Sequence, residues 1–173
     1  MYQKILVPID GSHTSSRGLQ EAIRLAKLTR GRLRLLHVID ELSFALAMDA
    51  YAGHSGNWLD TLREAGMKLL KGAKAEALAA DIDAEVVLHD SFNGKVAELV
   101  AAEASSWPAD LIVLGTHGRR GIGRMFLGSG AESILRIASV PVLLVRSPEE
   151  AAVADAPKVA ARVSIPTAAL SIE

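Results

Sequence analysis

The chain has 173 residues, a formal net charge of −1 and no cysteine, and half of its residues are hydrophobic. A chain of this length can bury a core without disulfide bonds, so we expect one soluble globular domain. The lack of cysteine excludes zinc–thiolate sites and thiol nucleophiles, and the balanced charge argues against binding to nucleic acid or to an anionic membrane. No segment has the ~20 apolar residues of a membrane span and no secretory signal begins the chain, so we expect no membrane insertion and a cytoplasmic protein.

Short apolar segments alternate with longer amphipathic ones, a pattern typical of parallel strands joined by crossover helices. The predicted strands are Ile5–Ile9, Leu33–Ile39, Glu85–Leu88, Leu111–Leu114 and Pro141–Val145. The predicted helices cover Ser12–Arg30, Leu59 to near Asp81, Val96–Ala104 and the segment from Ile134 to Ala138. Gly31 is expected to supply the left-handed residue that ends the first helix. Between Asp40 and Asn57 the pattern breaks up, which predicts a long loop with room for a short helix.

This order of elements predicts one α/β domain over residues 1–146, with an open, doubly wound, five-stranded parallel sheet. Ligands of such sheets bind at the carboxyl ends of the strands, where the strand order reverses. Residues 147–173 are rich in alanine and proline. We expect them to form a C-terminal tail that packs on its own chain or on a partner chain.

The strongest chemical signal is a glycine-rich, basic segment between Gly115 and Gly130. It holds six of the fourteen glycines, carries Arg119, Arg120 and Arg124 without any acid, and directly follows the most apolar strand. Glycine lets backbone N–H groups turn toward a bound anion, and a helix N-terminus adds a favourable dipole. Ser129 and Glu132 fit a capping box with Ser129 as the N-cap. Phosphate is therefore the expected ligand, and a solvated connection with Ser129 as a plain cap is the alternative.

Two common phosphate motifs are excluded by their spacing. No Gly-Lys pair is followed by Ser or Thr, as a Walker A loop requires, and Phe126 stands where a dinucleotide fingerprint needs its third glycine. The histidines show no spacing that would build a transition-metal site. His37 and His89 are expected to be hydrogen-bonded structural residues, and His117 either contacts a phosphate or satisfies a carbonyl group.

The segment Gly115-Thr116-His117-Gly118, nine further residues and Gly128-Ser129 resemble the GxxG(x9)G[S/T] signature of the ATP-binding branch of the universal stress protein family. The segments Lys4–Ser12, Leu36–Asp40, Ala109–Leu114 and Pro141–Val145 also resemble that family's strands, in the same order. The resemblance covers about residues 2–146. It implies a flavodoxin-like sheet with the strand order 3-2-1-4-5.

The resemblance also implies that an adenine nucleotide, ATP, lies across the carboxyl edge of the sheet. The residues that it assigns to the base and ribose are Pro8, Ile9, Asp10 and, packed on the adenine, Val38. The residues that it assigns to the ribose and phosphates are Gly115, His117, Gly118, Arg119, Gly128, Ser129, Gly130 and Ala131. The family usually has a β-branched residue after the Gly-Ser pair, so Gly130-Ala131 is a departure that loosens the first helical turn. Capping of the following helix is the alternative role of Asp10, and Mg²⁺ would enter only by bridging phosphates.

The function expected from these features is that of a nucleotide-sensing regulator in the stress response, which acts on a regulatory protein partner. The resemblance implies a homodimer formed through the edge strand Pro141–Val145. A slow ATPase or phosphotransferase is the first alternative, with His117 as its only candidate base. A phospho-receiver would need an acid cluster beside Asp10 and a lysine after strand five, and a flavin module is disfavoured by an aromatic content of 4%.

Overall fold

The computed structural model describes residues 1–39, 58–90, 96–116 and 128–146 of the chain. The elements in these ranges are β1 (Lys4–Pro8), α1 (His13–Thr29), β2 (Arg32–Ile39), α2 (Trp58–Ala79), β3 (Ala84–Asp90), α3 (Val96–Ser106), β4 (Leu111–Gly115), α4 (Ser129–Ile137) and β5 (Val142–Val145). All five predicted strands are present, with their bounds within two residues of the expected ones. The predicted loop at 40–57 and the predicted tail at 147–173 lie outside the described residues.

The sheet is parallel throughout and has the order β3-β2-β1-β4-β5, which confirms the predicted fold class. In the centre, β1 pairs with β2 on one side, where Pro8 lies opposite Leu36, and with β4 on the other, where Leu6 lies opposite Ile112. The chain adds β2 and β3 on one side and then crosses to β4. The strand order therefore reverses between β1 and β4, and their carboxyl ends mark the expected ligand position.

Helices cover both faces of the sheet, so the strands are apolar at nearly every position. Alternate residues of a strand point to opposite faces. The first face packs on α1 and α2, and the core there includes the strand residues Ile5, Val7, Leu33, Leu35 and Val113 and the helix residues Leu19, Ala22 and Leu70. The second face packs on α3 and α4, and the core there includes the strand residues Leu6, Leu36, Ile112 and Leu114 and the helix residues Val100 and Ile134. Among the described helices, none combines the length and the apolar composition that crossing a bilayer requires.

The end of α1 differs from the sequence expectation. Arg30, and not Gly31, is the left-handed residue, with φ 53° and ψ 39°, and its N–H donates to the carbonyl of Ala26. Gly31 is needed for another reason, because a Cβ there would lie 2.9 Å from the carbonyl oxygen of Tyr2 and 3.0 Å from that of Gln3. The close approach of the chain that enters β1 therefore explains the glycine.

The edge strand β5 is less covered than the central strands. Its four residues are all half-buried, whereas Ile5, Leu6 and Val7 in β1 are fully buried. On the neighbouring helix α4, Leu135 and Ile137 are each 45% exposed. Among the described residues, this end of the domain thus presents apolar side chains beside a strand edge that pairs with no other strand.

Candidate functional site

The first wall of the site is the chain that leaves β1. Ile9 is buried, and its N–H donates to the carbonyl of Leu36 at 2.7 Å. Its own carbonyl accepts a hydrogen bond from Nδ1 of His37 at 2.6 Å, so His37 is hydrogen-bonded as predicted. The backbone N–H of Asp10 donates to Oγ of Ser15 at 3.3 Å. The main chain at the base end of the predicted site is therefore fixed from two sides.

Asp10 shapes the turn between β1 and α1. One of its carboxylate oxygens, Oδ1, accepts from the N–H of Ser12 at 2.9 Å, and Gly11 between them has φ +80°. The N-cap of α1 is Ser12, whose hydroxyl accepts from the N–H of Ser15 at 3.1 Å. Asp10 is half-buried at the end of β1. It thus holds the turn that precedes the helix, while Ser12 does the capping.

The second wall is the end of β4, where two backbones come unusually close. A Cβ on Gly115 would lie 2.5 Å from the carbonyl carbon of Thr14 and 2.8 Å from the nitrogen of Ser15. A Cβ on Gly18 would in turn lie 3.3 Å from the nitrogen of Gly115. The first turn of α1 therefore rests directly on the end of β4, and only glycine fits at 115.

Next along the chain, Thr116 joins three parts of the molecule. Its N–H donates to the carbonyl of Val145 at 3.0 Å, and its carbonyl accepts from the N–H of Gly128 at 2.9 Å. The chain thus returns at Gly128 to the point that it left at Thr116. The predicted site residues His117, Gly118 and Arg119 belong to the intervening segment and lie outside the described residues.

The third wall is the start of α4, and here the capping prediction is wrong. Gly128 is the N-cap, with φ −59° and ψ 143°, and no side chain makes a capping hydrogen bond. Ser129 is the first helical residue, and the N–H of Glu132 donates to the carbonyl of Gly128 at 2.9 Å. Glu132 pairs with Arg136 at 2.8 Å instead of closing a capping box. The helix begins one residue earlier than predicted. The N–H of Glu132, which the predicted capping box assigned to the Ser129 side chain, donates instead to the backbone carbonyl of Gly128.

This start of α4 leaves its polar groups well placed for an anion. Ser129 and Gly130 are exposed, and a Cβ on Gly130 would meet nothing within 4 Å. The first N–H groups of a helix have no partner within the helix, and they lie at the positive end of its dipole. Of the predicted phosphate-site residues that the structure describes here, Ser129, Gly130 and Ala131 offer such N–H groups, whereas the N–H of Gly128 already donates to the carbonyl of Thr116.

Val38 lies deeper than a base-stacking role would suggest. It is 8% exposed and belongs to the core on the α3 side of the sheet, opposite to the face that carries His37. It pairs in register with His89 of β3. Only a small part of the side chain is therefore left for contact with an adenine.

The structure brings the ends of β1 and β4 and the start of α1 together, and the hydrogen bond from Gly128 to Thr116 joins α4 to them. Sequence reasoning missed the buried hydroxyl residues Thr14, Ser15 and Thr116, which line the junction. For Thr14 and Ser15, the run of hydroxyl residues after Gly11 was the available signal. Within the described ranges, no group of three His, Asp or Glu residues is arranged to hold a metal ion.

Comparison with known proteins gives one consistent family. A model of the universal stress protein family matches residues 1–146. A universal stress protein of Methanocaldococcus jannaschii is 34% identical over 155 residues, which cover 87% of this chain and 85% of that protein.

Solved structures agree with the sequence comparison. A universal stress family protein from Burkholderia pseudomallei is 33% identical and has a TM-score of 0.65, covering 84% of this chain and 97% of that one. A universal stress protein in complex with cAMP is 25% identical and has a TM-score of 0.58, covering 84% of this chain and 97% of its own.

Proposed function

Since the chain belongs to the universal stress protein family, we propose that it binds ATP at the carboxyl edge of its sheet and acts in the stress response as a nucleotide-sensing homodimer. The observation that carries this proposal is the junction at β4. There, a glycine that admits no side chain, the first turn of α1 and the open start of α4 meet at the point where the strand order reverses. At this junction the start of α4 offers backbone N–H groups rather than side chains, which suits a polyanion.

In the proposed complex, the adenine and ribose contact Pro8, Ile9 and Asp10 and the exposed edge of Val38. The phosphates extend past Gly115 toward the N–H groups at the start of α4, where the Ser129 hydroxyl is a further donor. His117, Gly118 and Arg119 would complete the phosphate end. A divalent cation such as Mg²⁺ would be held through the phosphates. The related structure with cAMP supports an adenine nucleotide as the ligand class.

The test is a measurement of nucleotide release and of thermal stability. Freshly purified protein is denatured and the released nucleotides are identified, and the melting temperature is then recorded with ATP, cAMP and GTP. At an ATP concentration of 100 times Kd, binding to the native state adds about 2.7 kcal/mol. For a domain of this size, that free energy raises the melting temperature by roughly 5–10 °C.

The control variant is Gly118→Val, which places a branched side chain in the glycine motif. This variant is expected to release no nucleotide and to show no rise in melting temperature with ATP. If wild-type protein releases no nucleotide and its melting temperature is the same with and without ATP, the proposed function is wrong. An equal response to GTP would contradict the assignment of adenine.

The proposed dimer forms through β5. The carbonyls of Pro141 and Val145 accept from β4, and the peptide groups of a strand alternate in direction, so the main-chain groups of Leu144 point to the open edge. An apolar open edge is hazardous unless another strand covers it. Pairing with the same strand of a second copy would also cover Leu135 and Ile137.

A matched pair of variants at one position tests the dimer. Leu144→Pro removes the outward N–H, whereas Leu144→Ala loses a similar amount of side-chain packing and keeps that N–H. By sedimentation velocity, the proline variant is expected to be monomeric and the alanine variant dimeric. A wild-type monomer at micromolar concentration, or a dimeric proline variant, would contradict this interface.

A further inference from the structure

The peptide bond between Ile9 and Asp10 is held at both of its polar groups by buried side chains. Its carbonyl, that of Ile9, accepts from Nδ1 of His37 at 2.6 Å, and its N–H, that of Asp10, donates to Oγ of Ser15 at 3.3 Å. His37 is 6% exposed and Ser15 is 5% exposed. The two residues come from different elements, β2 and α1, so the peptide is clamped between them.

The clamp lies where the main-chain ladder of the sheet ends. The register of β1 with β2 ends at Pro8 opposite Leu36, and the N–H of Ile9 still bonds to the carbonyl of Leu36. One step further, the carbonyl of Ile9 accepts a hydrogen bond from the His37 side chain. Because that partner is a carbonyl oxygen, Nδ1 must carry the proton. His37 thus fixes the orientation of the first peptide beyond β1.

The imidazole ring of His37 is itself held in place by α2. A Cβ on Gly66 would lie 2.8 Å from Cδ2 of His37 and 3.0 Å from Cδ1 of Leu88, so the helix backbone rests on the ring. Gly66 is buried. The ring is therefore packed against the backbone of α2, which limits its movement away from Ile9.

We propose that His37 and Ser15 are positioning residues for nucleotide recognition: together they orient the peptide between Ile9 and Asp10, and with it the Asp10 carboxylate, toward the base and ribose. This inference rests on the proposed ATP site. One carboxylate oxygen of Asp10, Oδ1, accepts from the N–H of Ser12, so a rotation of that peptide would also disturb the position of the carboxylate. A group that is held before the ligand arrives loses less freedom on binding, which favours affinity.

The test measures Kd for ATP and, separately, the free energy of unfolding without nucleotide. His37→Leu removes the donor, whereas His37→Asn keeps an amide N–H near the position of Nδ1. Ser15→Ala removes the second half of the clamp. The matched control is His89→Leu, because His89 is also a strand histidine and bonds instead to Glu103 at 3.2 Å.

The expected result separates positioning from simple structural support. His37→Leu should weaken ATP binding about tenfold, because the peptide before Asp10 would no longer be held in place before the nucleotide binds. Ser15→Ala should weaken it about threefold to tenfold, because the same peptide loses its other hydrogen bond. His37→Asn should return to within about threefold of wild type, since a donor is restored. His89→Leu should leave Kd unchanged even where it lowers the stability of the fold.

The outcomes also distinguish this inference from the proposed function. If wild-type protein does not bind ATP, the proposed function is wrong, and the positioning role of His37 and Ser15 is wrong with it. If wild-type protein binds ATP and both His37→Leu and Ser15→Ala keep its Kd, the positioning role is wrong. Should His37→Leu fail to fold, Ser15→Ala decides alone, and an unchanged Kd for that variant overturns the proposal.

Discussion

Gly115 and Thr14 lie so close that no side chain fits between them. An ideal Cβ on Gly115 would be 2.5 Å from the carbonyl carbon of Thr14 and 2.6 Å from its oxygen. Both are backbone atoms in the first turn of α1, so neither can move aside without shifting the helix. The contact sets how closely α1 approaches the end of β4, beside the point where the strand order reverses.

Gly115→Ala is therefore expected to destabilise the domain by about 2–3 kcal/mol, because overpacking against backbone cannot be relieved by a rotamer change. Gly130→Ala is the matched control, since a Cβ there meets nothing within 4 Å. It should be neutral or stabilising by up to about 1 kcal/mol through its helix propensity. Urea unfolding measures both. Equal effects of the two substitutions would contradict this account of Gly115.

Two glycines of α2 provide a second matched pair. Gly66 is covered by the His37 ring, whereas a Cβ on Gly72 would meet nothing within 4 Å. Alanine gains about 1 kcal/mol of helix propensity at either position. Gly72→Ala should therefore raise the free energy of unfolding by about 0.5–1 kcal/mol, while Gly66→Ala should lower it by about 1–2 kcal/mol as the helix is pushed off the sheet. Chemical denaturation of the two variants side by side is the measurement, and a stabilised Gly66→Ala would refute the contact.

Continuous apolar runs predicted the sheet well because they depend on local sequence alone. Leu111–Leu114 is buried on both faces, and such a strand needs apolar residues at every position. The end of α1 could not be placed in the same way. Arg30 and Gly31 are adjacent, and the choice between them depends on the carbonyls of Tyr2 and Gln3, nearly thirty residues away in the chain.

The site was predictable to a similar extent. The glycine-rich segment between a strand and a helix is a local pattern, and its resemblance to the universal stress protein signature assigned Gly115 and Gly128 to the predicted site. The clamp from His37 to Ile9 joins residues 28 apart, and nothing in the local sequence of either one indicates it. The capping box at Ser129 was misplaced by one residue because Gly128 serves as the cap with its backbone alone.

The stability of the domain is expected to depend on pH through the ionisation of Glu85. The hydrogen bond from Arg34 lowers the pKa of the Glu85 carboxyl below its usual value, and the Arg34 charge adds to the effect. A lowered folded-state pKa means that the stabilisation is complete above the unfolded-state pKa and is lost as the pH falls through the folded-state one. Because the side chain is 42% exposed, the contribution is below about 1 kcal/mol.

The measurement compares wild type with Glu85→Gln at pH 7 and at pH 3. At pH 7 wild type should be the more stable by about 0.5 kcal/mol, and the difference should shrink toward zero at pH 3. A difference that stays constant across this range would contradict the ion pair as its source. High salt at pH 7 should reduce the same difference, since the pair is partly exposed to solvent.

Arg34 should not be replaceable by lysine. Its Nη1 donates to Oε1 of Glu103 at 2.6 Å, its Nε donates to Glu85 at 3.0 Å, and its guanidinium lies 4.7 Å from the centre of the Trp107 ring. A single ammonium cannot serve two carboxylates and stack on a ring at once. Arg34→Lys should therefore cost about 1–2 kcal/mol.

The control for Arg34 is Arg24→Lys, which alters an exposed pair with Glu21 on α1. That substitution should change the free energy of unfolding by less than about 0.5 kcal/mol. Thermal or urea unfolding of both variants checks the contrast. A loss of similar size in the two would mean that the Arg34 network adds nothing beyond an ordinary surface pair.

A comparison of Ser129 with Ser12 distinguishes a ligand-binding hydroxyl from a helix-capping one. Ser12 caps α1 through a 3.1 Å bond from the N–H of Ser15, whereas the exposed Ser129 makes no capping bond at α4. Ser12→Ala should therefore lower the free energy of unfolding by about 1 kcal/mol, and Ser129→Ala should change it by less than about 0.5 kcal/mol. If the Ser129 hydroxyl donates to a phosphate, as proposed, Ser129→Ala should still weaken ATP binding by roughly threefold to tenfold. Urea unfolding and ATP titration of the same two variants check this, and a Ser129→Ala protein that loses stability while it keeps its Kd would assign the hydroxyl to the fold instead.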